Sequence, residues 1–264
     1  MSRIRAITGT AVLAVACLRV IAAPGPGIHF VEAEGERGTV RGTIYVPLGA
    51  DHSEPMPTIL FMHGWGQSGT DGLRQMAIGL PQAIFENAER WPYIVVMPQK
   101  PVFNADWDHY FDGAIALLDL AINDYGADAD RVGVTGLSQG GHATIALATA
   151  YPDRFKAAAP VCGYTMRRFK PDGDPIPFED RSDPETIERA ANALAPLPIW
   201  IFHGEADEVV SIDEAKLLHE ALRKVGASDL TLTIFPETGH NAWDQAYLDS
   251  ELWQWFGERL AKKD

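Results

Sequence analysis

Short apolar runs alternate with longer stretches of helical period along most of the chain. "TILFMHG" (58–64), "YIVVMPQ" (93–99), "DRVGVTG" (130–136), "FKAAAPV" (155–161), "PIWIFHG" (198–204) and "LTLTIFP" (230–236) each read as a buried strand closed by Gly, Pro or a polar residue. Ahead of them, residues 24–57 read as one or two edge strands, "TVRGTIYV" the clearer, ending in a Pro-rich loop. Helical periods follow at 71–80, in "HYFDGAIALLDLAINDYG" (109–126), in "GHATIALATAYP" (141–152), in "IDEAKLLHEALRKVG" (212–226) and in "AWDQAYLDSELWQWFGERL" (242–260).

Buried strands separated by helices predict an α/β protein, with a mainly parallel sheet and helices on both faces. Ligands of such sheets sit beyond the carboxyl ends of the strands. Residues 163–197 break the rhythm. They are rich in Pro, Asp and Arg, hold one possible helix, "DPETIERAANAL", and are too long for a plain connection. We expect one catalytic domain over 24–264, with a pocket-wall insertion at 163–197. Nothing repeats internally.

Composition adds bounds. A chain of 264 residues can bury one substantial core. The formal charge of −14 disfavours nucleic acid and anionic membrane as partners. Residues 1–23 read as a secretory leader: Arg3 and Arg5, then the apolar run Ala6–Leu18, then Ala22 and Ala23 before Pro24. That run is too short for a stable membrane span. The expected location is therefore secreted or periplasmic, with Cys17 raising lipid attachment as a further route. Without the leader the only cysteine is Cys162, after an apolar run, and it reads as a core residue.

The chemistry gathers at three predicted strand ends. "GLSQG" places Ser138 between a strand and a helix, with Gly136 and Gly140 on either side. A serine on such a strained turn projects its hydroxyl above the sheet, and the helix N-terminus beside it favours negative charge. A hydroxyl needs a base to become a nucleophile. His240, in "ETGHNAW" after the last strand, is better placed than His29, His52, His63, His109, His142, His203 or His219. "HGEADEVV" offers Glu205, Asp207 and Glu208 as the acid that orients it. Asp207 is favoured because it lies further out on the loop. The chain order Ser, Asp, His is itself that of one hydrolase class. "HGWGQSG" after the first buried strand suggests an oxyanion site made by the backbone N–H groups of Trp65 and Gln139.

With these residues in place the sequence resembles the α/β-hydrolase superfamily. It is most similar to bacterial secreted esterases and peptidase-like proteins near the polyhydroxybutyrate-depolymerase, feruloyl-esterase and phospholipase/carboxylesterase families. The matching pieces are "YVPLG", "LFMHGWGQSG", "GVTGLSQGG", "IFHGEADEVV" and "FPETGHNAWDQAY". The resemblance implies an α/β-hydrolase fold, with Ser138 as nucleophile, Asp207 as acid and His240 as base. Depolymerases often carry a cysteine after "HG", where this chain has Trp65. Peptidases of the prolyl oligopeptidase type share the catalytic domain but usually carry a propeller, which finds no counterpart here.

Three functions follow: a serine carboxylesterase acting on short-chain or aromatic acyl esters, a serine peptidase or amidase, and an inactive binding protein on the same scaffold. The substrate class expected is a small-molecule or carbohydrate-linked ester. Trp65, Trp107, Trp243 and Tyr164 are candidate substrate-binding residues, because a ring stacks well on such side chains. No metal and no cofactor are expected, since neither a metal-ligand spacing nor a nucleotide loop is present. Oligomeric state is left open.

Overall fold

The structure, a computed structural model, describes residues 23–50, 53–170, 173–176 and 183–262. The expected leader, except its last residue, and part of the 163–197 excursion lie outside the described residues. Eight strands form one sheet: β1 (Gly27–Gly35), β2 (Gly38–Val46), β3 (Met56–Met62), β4 (Ile94–Gln99), β5 (Ala127–Leu137), β6 (Ala157–Val161), β7 (Ile199–Gly204) and β8 (Leu230–Phe235). Their order is β1-β2-β4-β3-β5-β6-β7-β8. β1 and β2 make an antiparallel hairpin, and β2 pairs antiparallel with β4. Every pairing from β4 to β8 is parallel. This is the α/β-hydrolase arrangement.

The strands alternate which core they feed. In β3, Leu60 and Met62 join one apolar cluster and Ile59 and Phe61 join the other. The first cluster is closed by α2 (Phe111–Asp124), α3 (Gln139–Ala150), α4 (Pro184–Leu194) and α5 (Ile212–Lys224). The second is closed by α1 (Leu80–Glu86) and α6 (Leu252–Arg259). Fully burying one Val, Leu, Ile or Phe contributes roughly 1.5–3 kcal/mol. An exposed pair such as Lys262–Glu54 contributes about 0–1 kcal/mol. The two-sided core, not the surface ions, therefore holds the sheet. Among the described residues no helix is long and apolar enough to cross a membrane.

Two expected helices differ. Residues 71–80 hold only a 3-10 turn, Arg74–Met76, and the helix α1 starts at Leu80. Asp71 accepts hydrogen bonds from the N–H groups of Leu73 and Arg74, which folds a local turn. Gly79 then takes a positive φ of 74°, and Pro81 sits in the first turn of α1, where its missing donor is harmless. The final helix is broken too, into a π-helical turn (Gln245–Asp249) and α6. Ser250 between them is extended, and its hydroxyl accepts from Leu252 N–H and donates to the Ala246 carbonyl.

Candidate active site

β5 runs apolar to Leu137 and α3 starts at Gln139, so the reversal falls on Ser138 alone. Its φ of 55° and ψ of −116° are strained for a residue with a side chain, by roughly 1–3 kcal/mol. The surroundings hold it there. Its N–H donates to the Val161 carbonyl at 2.9 Å and its carbonyl accepts from His142 N–H at 3.0 Å. A methyl on Gly140 would lie 1.9 Å from the Met62 carbonyl oxygen, so only glycine lets α3 come so close to β3.

Three strand ends converge on this serine. His240 Nδ1 lies 2.8 Å from Asp207 Oδ2, and Nε2 lies 2.9 Å from Ser138 Oγ. Asp207 Oδ1 accepts from the N–H groups of Val209 and Val210, each at 2.9 Å. Burial opposes the charge of Asp207. Hydrogen bonds from His203, His240 and the two N–H groups outweigh it and hold the carboxyl well below the usual carboxylate range. A carboxylate only accepts, so Nδ1 of His240 carries the proton and Nε2 accepts from the serine hydroxyl. His203, fully buried, divides its Nε2–H between the Val210 carbonyl at 2.9 Å and Asp207 at 3.3 Å. It shapes the acid turn, as its place before Asp207 suggests.

The loop after β3 supplies the fourth wall. Burial pushes the His63 ring down to about 3, so it is neutral. Its Nε2 accepts from Lys100 N–H at 2.9 Å, which leaves Nδ1–H to donate to the Gly64 carbonyl at 2.6 Å. The Gly64–Trp65 peptide is planar and trans, so fixing its carbonyl aims the Trp65 N–H the opposite way. Gly64 stands against Leu137, the neighbour of Ser138. Among the described residues, neither the Trp65 N–H nor the Gln139 N–H is taken by a hydrogen bond.

The aromatic candidates divide. Trp65 is 48% exposed and meets the half-exposed Phe103 edge-on. Trp243 is half-buried and meets the His240 ring edge-on at 5.4 Å. Trp107 is a correction: it is 0% exposed, with its indole N–H donating to the His63 carbonyl at 3.0 Å. It braces the loop and presents no face for stacking. Tyr164 is also a correction, at 3% exposure. One face lies parallel to the His142 ring, and the Arg168 guanidinium sits 4.1 Å from its ring centre. Cys162 is fully buried, as its apolar context suggests.

Asp106 is a site neighbour that sequence reasoning missed. Fully buried, it accepts from the Gln139 side-chain amide at 3.4 Å with one oxygen and from the N–H groups of Arg168 and Phe169 with the other. One carboxylate thus ties the start of α3 to the segment after β6. Its only sequence signal is an acid just past a strand end. Among the described residues no group of three or more His, Cys, Asp or Glu side chains could hold a metal ion.

Several known proteins resemble this chain. The prolyl oligopeptidase family profile matches residues 104–263. The chain is 37% identical over 158 residues to acetylxylan esterase A of Emericella nidulans, covering 49% of this chain and 50% of that one. It is 27% identical over 173 residues to feruloyl esterase B of Thermothelomyces thermophilus, covering 61% and 55%. The chain therefore spans about half the length of these relatives. A solved ferulic acid esterase of Anaeromyces mucronatus superposes with a TM-score of 0.63 at 15% identity, covering 86% of this chain and 90% of that one, which speaks to the fold alone.

Proposed function

Since the chain belongs to the prolyl oligopeptidase family, we propose that it is a serine hydrolase that cleaves carboxylic esters of short-chain or aromatic acyl groups. The observation that carries the reading is the hydrogen-bonded row from Ser138 Oγ through His240, at 2.9 Å, to Asp207, at 2.8 Å. Ser138 Oγ attacks the ester carbonyl carbon while His240 Nε2 takes its proton. Asp207 keeps the imidazole in the accepting tautomer and stabilises the imidazolium that forms. The N–H groups of Trp65 and Gln139 receive the oxyanion, each contributing about 3 kcal/mol in the transition state. Collapse expels the alcohol, which leaves with the proton from His240. A water then repeats the steps on the acyl-enzyme.

The acyl preference rests on two supports. Trp65 with Phe103 and the ring of Trp243 give flat apolar surfaces on the loops around the serine. Two relatives carry the names acetylxylan esterase and feruloyl esterase. The family name favours a second reading, a peptidase or amidase using the same three residues.

The test is a panel of acetyl, butyryl, feruloyl and long-chain esters beside a short peptide amide, with wild type and Ser138→Ala. We expect kcat/KM on acetyl or feruloyl esters to exceed that on chains of twelve carbons or more, and loss of about 10³-fold or more in Ser138→Ala. Faster cleavage of the amide would transfer the assignment to the peptidase reading. A wild-type protein that neither turns over substrate nor takes up an organophosphonate at Ser138 would leave only a binding protein.

A further inference from the structure

Two arginines stand side by side after β6, and their surroundings differ. Arg167 pairs with Asp108, whose other oxygen meets His142. Arg167, Asp108 and His142 line a cleft of about 600 Å³ between α3 and α4. Arg168 has no such neutralising partner: among the described residues no carboxylate lies within ion-pair distance of its guanidinium. Its guanidinium carbon lies over the Tyr164 ring, 4.1 Å from the ring centre. One Nη1–H reaches the Val209 carbonyl at 3.5 Å, the outer limit of a hydrogen bond.

The contacts of Arg168 locate it. Tyr164 lies against His142, one helical turn past Ser138. Val209 is two residues past Asp207 and donates its N–H to that carboxylate. The Arg168 N–H is held by Asp106, which also holds the side chain of Gln139. Arg168 is thus tied to three of the elements around the serine: the start of α3, the acid turn and the loop before α2. Its backbone is held by a buried carboxylate and its guanidinium sits over a buried ring.

We propose that Arg168 is the anion-recognising residue of this site, and that the preferred ester bears a carboxylate close to the scissile bond. This rests on the hydrolase reading above. A guanidinium offers five donors in a planar fork matched to a carboxylate, and among the described residues only one is engaged. Its place over the Tyr164 ring orients the fork before the ligand arrives, so little freedom is lost on binding. The wider field of a chain with a charge of −14 repels anions. A cation with no carboxylate partner among the described residues is what would draw one in. The carboxylate can belong to the acyl group, as in a half-ester of a diacid, or to the leaving alcohol, as in an ester of a hydroxy acid.

Isosteric pairs separate the two sources. Monomethyl succinate against methyl succinamate tests an acyl carboxylate, and 4-acetoxybenzoate against 4-acetoxybenzamide tests a leaving-group carboxylate. In one of the two arms we expect wild type to favour the carboxylate by about tenfold or more in kcat/KM. Arg168→Gln should bring that ratio to about one or below, Arg168→Lys should retain part of it, and Arg167→Gln should keep it. A wild-type ratio at or below one in both arms, or an unchanged ratio in Arg168→Gln, overturns the proposal. Calorimetric titration of full-length wild type and Arg168→Gln with succinate and benzoate gives a second reading independent of turnover. Saturable binding by wild type of at least one of them that weakens several-fold in Arg168→Gln supports the anion site even if no ester is cleaved. Binding equal in both proteins, or undetectable in wild type, counts against it. Failure of the hydrolase reading would instead appear as no turnover of the neutral esters.

Discussion

Asp207 receives donors on both of its oxygens, and this fixes the direction of every proton beside it. Two backbone N–H groups and two imidazoles keep it ionised although it is buried. Asp207→Asn presents an amide to His240 instead and no longer selects the tautomer that accepts from Ser138. We expect kcat to fall by about 10³–10⁴-fold with the far-ultraviolet circular dichroism unchanged. A folded Asn variant within tenfold of wild type would remove Asp207 from the machinery. That Ser138, Asp207 and His240 would meet was legible in sequence, because each stands in a small-residue turn at the end of an apolar run. Trp107 and Tyr164 were not. Predicted loop position says nothing about whether a side chain points out or in, and both point in. Asp106 was hidden for another reason: its partners lie more than thirty residues away in the chain.

At the scale of elements, the elbow is set by main-chain contact. A methyl at Gly140 meets the Met62 carbonyl at 1.9 Å, whereas one at Gly66 meets nothing within 4 Å. Gly140→Ala must push α3 away from β3. A clash with backbone is relieved only by moving an element, at a typical overpacking penalty of about 1–3 kcal/mol. Gly66→Ala should stay within about 0.5 kcal/mol of wild type. Urea midpoints of the two variants measure the contrast, and equal midpoints would contradict it. The parallel strands around this elbow come from apolar runs that the sequence displays openly, whereas their order in the sheet does not. The two misplaced helices have local causes. An apolar period runs on through the Asp71 turn although side-chain hydrogen bonds there stop a helix from forming. The break at Ser250 carries neither Gly nor Pro to announce it.

At the scale of the whole molecule, one buried pair adds its own pH dependence to stability, beside the opposite one of neutral, buried His63, which costs stability below its unfolded value of about 6.5. Burial works against the charge of Asp108, but His142 and Arg167 hold its carboxyl well below the usual range. Burial likewise works against the charge of His142, but Asp108, Asp106 and the Tyr164 carbonyl raise it. The depressed carboxyl stabilises the fold above its unfolded value, about 3.9, and loses that contribution as pH falls toward its folded value. The raised imidazole stabilises the fold below its unfolded value, about 6.5, and loses that contribution as pH rises through its folded value. The pair therefore contributes most between about pH 4 and 6.5. The wild-type denaturant midpoint minus that of Asp108→Asn, in which the His63 contribution cancels, should be largest in that window and shrink on both sides, and Asp108→Asn should flatten the alkaline decline. An alkaline slope identical in the variant would show that His142 gains nothing from its partner.

Trp243 touches the His240 ring edge-on at 5.4 Å. An indole is a light emitter, and a unit charge that appears this close perturbs its excited state. The protein thus carries an optical gauge of what faces one ring, read without any turnover. Subtracting the emission of Trp243→Phe from that of wild type removes the signal of the other tryptophans. Organophosphonate labelling of Ser138, which replaces the hydroxyl facing His240 Nε2 by a charged group, should shift this difference. A difference spectrum that labelling leaves unchanged would mean that the two rings part company in solution.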